Sequence, residues 1–306
     1  MAVSGNKNDW IDAEAIAAYL EANETRCRPL LFNSPDLEKL KHVCIIHSRL
    51  SKERRRYLNK LHFAVREYFG LQETLFGTFG RKTQLQLLRR YPSFAALANA
   101  SDQELVDFLK SHRYRNPKFI QRVLEKIRHH EQYVSPQREY AYQFETSFLC
   151  EMLLSLHDRL YSLELDMERI VSGHRLGPIF QSLPGAGRIL SAKLLVLFGD
   201  RKARFQTANG VQCLYGTAPK NFQSGGYHKV VMRKACNKTG RDVFFEYSFS
   251  SLRFSSWARI YYDLQRSRGK THSVAVRALS NKWVQVIFKM WQTESPYQEG
   301  LKSKVA

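Results

Sequence analysis

The 306-residue chain carries 48 Lys and Arg against 28 Asp and Glu, a formal net charge of +20 that repels itself unless a polyanion neutralises it. Nucleic acid is therefore the leading partner, with a merely very soluble protein as its rival, and the length calls for two or three folding units rather than one. Cys27, Cys44, Cys150, Cys213 and Cys236 are too scattered for a zinc ribbon or redox motif, no signal peptide is evident, and no apolar run nears the ~20 residues that span a bilayer; a membrane is not expected, and a reducing cytoplasm or nucleoid is.

Asp9 to Leu20 places Ile11, Ala15, Ile16, Tyr19 and Leu20 at helical spacing, which predicts an amphipathic helix. Asp9 and Asp12 stand three apart on it, so their carboxylates share a face and together suit a hard divalent cation. Acids favoured at a solvated helix N-terminus account for the same pair. Ser34-Pro35-Asp36 starts a second, longer helix that Gly70 ends. Its polar face carries Lys52, Arg54, Arg55, Arg56, Lys60 and Arg66; this is a phosphate-contacting surface or, more blandly, a solvated one. Residues 84 to 130 read as several short helices punctuated at Pro92-Ser93, Ser101-Asp102 and Asn116-Pro117.

Leu149, Leu153, Leu156, Leu160, Leu163, Met167 and Ile170 recur at alternating steps of four and three, the period of a supercoiled seam. The narrow seam predicts a coiled-coil arm joining copies of the chain into a homo-oligomer; the alternative is a helix packed inside its own domain. Gly173 and Gly177-Pro178 end it. From Leu183 the run LPGAGRILSA has the form of a helix-hairpin-helix turn, in which Gly185 and Gly187 expose backbone N–H groups to a DNA phosphate, or of an ordinary turn between helices.

Leu214 to Met232, rich in Gly and Pro, predicts a β-hairpin or extended loop centred on Ser224-Gly225-Gly226. The two glycines leave the Ser224 hydroxyl approachable as a nucleophile, while Arg233, Lys234, Lys238 and Arg241 follow closely enough to neutralise a phosphate under attack. A hairpin tip without chemistry fits the spacing equally. Two helices, Asp242 to Ser267 and Ser273 to Trp291, close the chain, the second burying Val276, Leu279, Trp283, Val286, Ile287 and Met290.

Several of these stretches resemble one family. Lys7-Asn-Asp9-Trp-Ile-Asp12-Ala13 is similar to the Lys-x-Asp-x-x-Asp-Ala motif that ends the RuvC-like domain of DEDD transposases of the IS 110 class. LPGAGRILSAKLL, Phe198-Gly-Asp200, LYGTAPKNFQSGG, Lys238-Thr-Gly240 and RGKTHSVAVRALSNKW resemble the carboxy-terminal domain of the same transposases. The resemblance implies a mainly α fold in four parts: the end of a RuvC-like α/β domain (1–33), a basic helical region (34–140), a coiled-coil arm (141–177) and a carboxy-terminal domain (178–306) holding a helix-hairpin-helix and a small β-hairpin. It further implies that Asp9 and Asp12 are the last two of four acids binding Mg²⁺, that Ser224 attacks DNA, and that a structured RNA guides the target choice.

The family's first two acids precede this pair on strands, whereas only eight residues precede Asp9 here. The expectation is a truncated catalytic half that does not cleave DNA alone, from an interrupted element, a late start or a split gene. The rival expectation is a non-catalytic DNA- and RNA-binding remnant that modulates an intact transposase.

Overall fold

Two long helices organise the computed structural model, which describes residues 8–25, 32–69, 75–130 and 134–299. Lys7, Cys27 and Gly70 lie outside the described residues. Helix α1 spans Asp9–Ala22, and the long helices are α2, Pro35–Tyr68, and α7, Pro136–Gly173. Each long helix carries proline in its first turn, where the missing N–H costs nothing. They run antiparallel: His47 meets Glu164 near one end, and Glu67 pairs with Arg138 near the other. At 1.5 Å per residue each is over ~50 Å long.

Four short helices fill the chain between them: α3 (Lys82–Arg90), α4 (Phe94–Asn99), α5 (Asp102–Ser111) and α6 (Pro117–Arg128). None is long enough to stand alone in water. Side-chain caps at Ser93, Ser101 and Asn116 start three of them, at the expected punctuation. They pack with the far ends of α2 and α7 into one core, which holds Leu61, Tyr68, Phe69, Leu97, Phe108, Ile127, Leu149 and Leu153.

A second core lies at the opposite end of the pair. There α8 (Gly177–Gln181), α9 (Gly187–Phe198), α10 (Ala208–Leu214), α11 (Lys238–Ser251), α12 (Ser256–Ser267) and α13 (His272–Thr293) surround Leu37, Leu40, Met167 and Val171 of the long helices. The Phe198-Gly-Asp200 run ties this end together. Gly199 O accepts from the buried Trp291 Nε1 at 2.8 Å, and Asp200 Oδ2 accepts from Ser34 N at 2.9 Å, holding the start of α2.

The seam on α7 departs from expectation. Leu149, Leu153, Leu160 and Met167 are buried, and Leu156, Leu163 and Ile170 half-buried, because α2 of the same chain lies along that face. A heptad period specifies a helical partner, not where that partner comes from, so the arm is an intramolecular helix pair and its seam is not a free face for another copy.

Two further corrections concern helices. The amphipathic face expected on α1 is not used: no residue of α1 is buried, and Trp10, Ile16, Tyr19 and Leu20 all stand exposed. The helix expected over Asp242 to Ser267 is two, α11 and α12. Between them Ser255 turns the chain, its Oγ accepting from Ala258 N, while the Glu299 carboxylate takes the exposed Ser256 N–H at 2.7 Å. The last helix buries its expected residues except Val286, which is half-buried while the unexpected Val284 is buried.

His47 makes the helix pair sensitive to acid. It is buried on α2 with Nε2 3.3 Å from Glu164 Oε1, and burial pushes the imidazole below its ordinary value against the opposing pull of Glu164. The fold favours neutral His47, so its contribution is present above the unfolded value near 6.5 and is lost as pH falls below it. We expect the melting temperature to drop between about pH 7.5 and 5, and the drop to be shallower for His47→Gln. Equal slopes in circular-dichroism melts of the two proteins would contradict this.

Candidate nucleic-acid and serine site

The hairpin expected around Ser224 is present: β1, Lys220–Ser224, pairs antiparallel with β2, Tyr227–Val231, and Ser224 faces Tyr227 across the last rung. Gly225-Gly226 closes it. Gly225 has φ +57°, the left-handed conformation that a two-residue hairpin turn demands and that β-carbon-bearing residues resist. Every residue of β1 is exposed, so Ser224 stands at the tip of a ribbon projecting from the second core. Among the described residues its hydroxyl has no hydrogen-bond partner, which leaves it accessible and without an attached general base.

The root of the ribbon is fixed tightly. Tyr215 is buried and donates from its hydroxyl to Leu197 O at 2.5 Å. A β-carbon on Gly240 would lie 2.1 Å from the Tyr215 ring, so the start of α11 can close onto Tyr215 only with glycine there. Asn237 caps that helix by accepting from Gly240 N at 2.9 Å, and its own N–H reaches Leu214 O at 2.8 Å. Thus the Lys238-Thr-Gly240 turn anchors the hairpin.

Beneath the root lies a cavity of about 310 Å³, lined among others by Thr217, Met232, Arg241, Phe245, Ser273 and Arg277. Arg241 is weakly paired with Asp242 at 3.3 Å. Half-buried Arg277 has no acid or hydrogen-bond partner among the described residues. The half-buried Arg233 has its Nε sealed from solvent without a partner. Lys234 and Lys238 are exposed at the same root. Asp242 also lines the cavity, so two of its arginines face one acid there, and with Arg233 nearby the excess of guanidinium groups is suited to a phosphate.

The other expected residues lie apart. Arg54, Arg55, Arg56 and Lys60 are exposed midway along α2, where among the described residues only Arg56 of the four has an acid partner, Glu53 at 2.8 Å. Arg54 also borders a cleft of about 330 Å³ with Phe79 and Arg81. Gly185, with φ +77°, sits between α8 and α9, and Gly187, with φ +56°, opens α9, as the glycine turn requires. Gly185 also has a packing reason: a β-carbon there would come within 2.7 Å of Phe254, and its carbonyl accepts from Ser250 Oγ at 2.7 Å. Gly187 is exposed, with open space beside it.

Asp9 and Asp12 are exposed in the first turn of α1, a helix with no buried residue. Among the described residues no cluster of three or more His, Cys, Asp or Glu is placed to hold a metal. Two exposed carboxylates do not by themselves match the near-octahedral oxygen shell of Mg²⁺. The described residues of 1–33 form one helix and no strand, so the RuvC-like sheet is not seen among them. No described helix is long and apolar enough to cross a membrane.

Sequence reading missed Arg277, which appears in a helical stretch without a basic cluster around it. It also passed over the residues that flank Ser224 on the ribbon, although the alternation in KNFQSGGYHKVV carried that information.

Comparison with known proteins completes the picture. The family described as Transposase IS116/IS110/IS902 matches residues 177–263, which include the whole hairpin with Arg233 and Arg241 at its root, but not Arg277. A second transposase family, of the IS110 DEDD type, matches residues 1–70. A 43.6 kDa protein of insertion element IS110 from Streptomyces coelicolor is 27% identical over 98% of this chain and 74% of its own length. The mini-circle IS117 protein of the same organism is 25% identical over 97% of this chain and 73% of its own. A 42 kDa protein of insertion element IS900 from Mycobacterium paratuberculosis is 24% identical over 74% and 56%.

Proposed function

This chain belongs to the IS116/IS110/IS902 family of insertion-sequence transposases, and from that premise we propose that it engages DNA through the Ser224 ribbon and the basic face of α2 during strand exchange. The observation that carries the reading is an unpartnered hydroxyl at the tip of a projecting ribbon whose root is lined by Arg233, Arg241 and Arg277. Ser224 Oγ attacks a DNA phosphorus and loses its proton; an O–P bond forms to serine, and the displaced strand oxygen leaves as a hydroxyl. Attack by a hydroxyl of a second strand then releases Ser224 and joins the new strand. The root arginines neutralise charge on neighbouring phosphates.

Transposases of the DEDD type use divalent metal, and Asp9 and Asp12 are the two carboxylates of this chain assigned to it here, with Mg²⁺ as the proposed ion. They fill only part of its coordination shell, so no step is derived through it. A structured guide RNA and assembly into a homo-oligomer belong to the same reading. With the α7 seam covered, the surface for assembly is the exposed row Tyr140, Phe144 and Phe148 on the same helix.

One observation favours a second reading, in which the chain grips nucleic acid without cutting it and modulates an intact transposase: neither Ser224 nor the Asp9 and Asp12 pair has a chemical partner among the described residues. Labelled element-end DNA incubated with the protein, Mg²⁺ and the guide RNA separates the two. Strand cleavage with a covalent adduct at Ser224 supports the first, and gel retention with neither supports the second.

Both readings share a prediction. Changing Arg54, Arg55, Arg56 and Lys60 together to Gln should weaken DNA retention at all sequences alike. If all four contact phosphates, the slope of log affinity against log salt becomes shallower by about 3 to 4. An unchanged slope would remove the face of α2 from the interface.

A further inference from the structure

The ribbon holds more than a serine. Residues directly opposite one another in an antiparallel pair share a face, as do residues two apart. The register therefore puts Lys220, Phe222, Ser224, Tyr227, Lys229 and Val231 on one face. Phe222 is 54% and Tyr227 60% exposed, and neither ring belongs to a core. Lys220 Nζ sits 4.9 Å from the Phe222 ring centroid, and residues 220–231 include no acid. The cross-strand partners of the two rings are Lys229 and Ser224, so the ladder does not pair them with each other.

Aromatic rings with lysines beside them and no carboxylates near complement a nucleic-acid strand, because every base has a stackable face and every linkage an anion. Diagonal neighbours on such a face are ~7–8 Å apart. That is about twice the 3.4 Å rise of stacked bases. Two successive bases lying on these rings are therefore drawn apart from one another. We propose that this face is a stacking platform for DNA bases unstacked beside the attacked linkage: Tyr227 takes the base next to it, Phe222 the following one, and Lys220 and Lys229 take the backbone. Tyr227 and Phe222 are then positioning residues, which rests on the reading of Ser224 as nucleophile only in where along the strand the bases lie.

The test uses the full chain and a single-stranded DNA oligonucleotide of the element end, with 5-iodouracil at the nucleotide beside the cleaved bond. We expect irradiation to crosslink that base to Tyr227, as mapped by mass spectrometry. Tyr227→Ala and Phe222→Ala should each weaken binding roughly tenfold in fluorescence anisotropy, and Tyr227→Phe should bind as the unaltered protein does. Unchanged melting temperatures would show that the variants keep their fold, since the ribbon face is outside both cores. Unaltered affinity and crosslinking in the alanine variants would overturn the platform. So would a platform-dependent affinity for RNA alone, or a loss of oligomer mass with unchanged DNA affinity, which would make the face a contact between copies. If Ser224→Ala still forms the adduct while Tyr227→Ala loses its crosslink, the serine reading fails and the platform stands.

Discussion

Ser224→Ala is expected to abolish the covalent protein–DNA adduct and to lower strand cleavage by on the order of a thousandfold or more, the scale of removing a nucleophile, while DNA affinity stays within about twofold. The separation of the two effects follows from the placement of the residue. Ser224 is exposed at the tip of β1, contributes to neither core, and among the described residues makes no hydrogen bond that its loss would break. The turn beyond it is held by Gly225 and Gly226, which the substitution leaves alone. Binding is assigned to other side chains: the aromatic and lysine face of the ribbon, the arginines at its root and the basic face of α2. The check is a denaturing gel of labelled end-DNA after incubation with metal and guide RNA, beside native-gel retention at matched salt. Cleavage and adduct at the unaltered rate would exclude Ser224 as nucleophile. Loss of retention together with cleavage would mean that the ribbon tip is needed for binding itself.

Trp283→Ala is expected to cost about 3–5 kcal/mol of stability, the range for deleting a fully buried large aromatic ring. Trp283 is fully buried on α13. Tyr247, Trp257 and Tyr297 surround it at centroid distances of 5.1, 4.5 and 5.5 Å, and its Nε1 donates to Ser251 Oγ at 2.9 Å. Three elements, α11, α12 and the segment after α13, meet on this one ring, so they cannot all move in to fill the space it leaves. Trp283→Phe keeps part of the packing and should lose less. Guanidinium unfolding followed by tryptophan-independent circular dichroism reads the effect as a lower midpoint. With two cores, the transition of the carboxy-terminal one should move while that of α3 to α6 holds. A midpoint unchanged by Trp283→Ala would refute the packing argument.

The readings that succeeded rested on local chemistry. Ser34-Pro35, Ser93, Ser101 and Asn116 start helices through their own side chains or a fixed φ, and Gly225-Gly226 closes a hairpin through a conformation other residues resist; such signals need no knowledge of the rest of the chain. The readings that failed needed a partner to be identified. The heptad period on α7 was correct, but only the fold shows that α2 supplies the other half of the seam. The apolar spacing on α1 promised a buried face, yet no described element covers it. The break between α11 and α12 is capped locally by Ser255 and braced by Glu299, over forty residues away, a contact that no window of sequence connects to Ser256. At the site, Ser224 and its cationic root were legible because they adjoin in sequence. Arg277 was hidden because it reaches the root only when α13 packs on α11.

The paired helices also act as a ruler. Between Cys44 in the carboxy-terminal core and Leu61 in the other, α2 runs 17 residues, about 25 Å at 1.5 Å per residue. Chain enters and leaves the distal unit side by side along this span, so the unit is an excursion from the body that carries the ribbon. Removing seven residues from each helix in register would shorten the gap by ~10.5 Å while preserving which faces meet. The distance between the two cores is thus written in the number of heptads, and can change by whole heptads without redesigning either end.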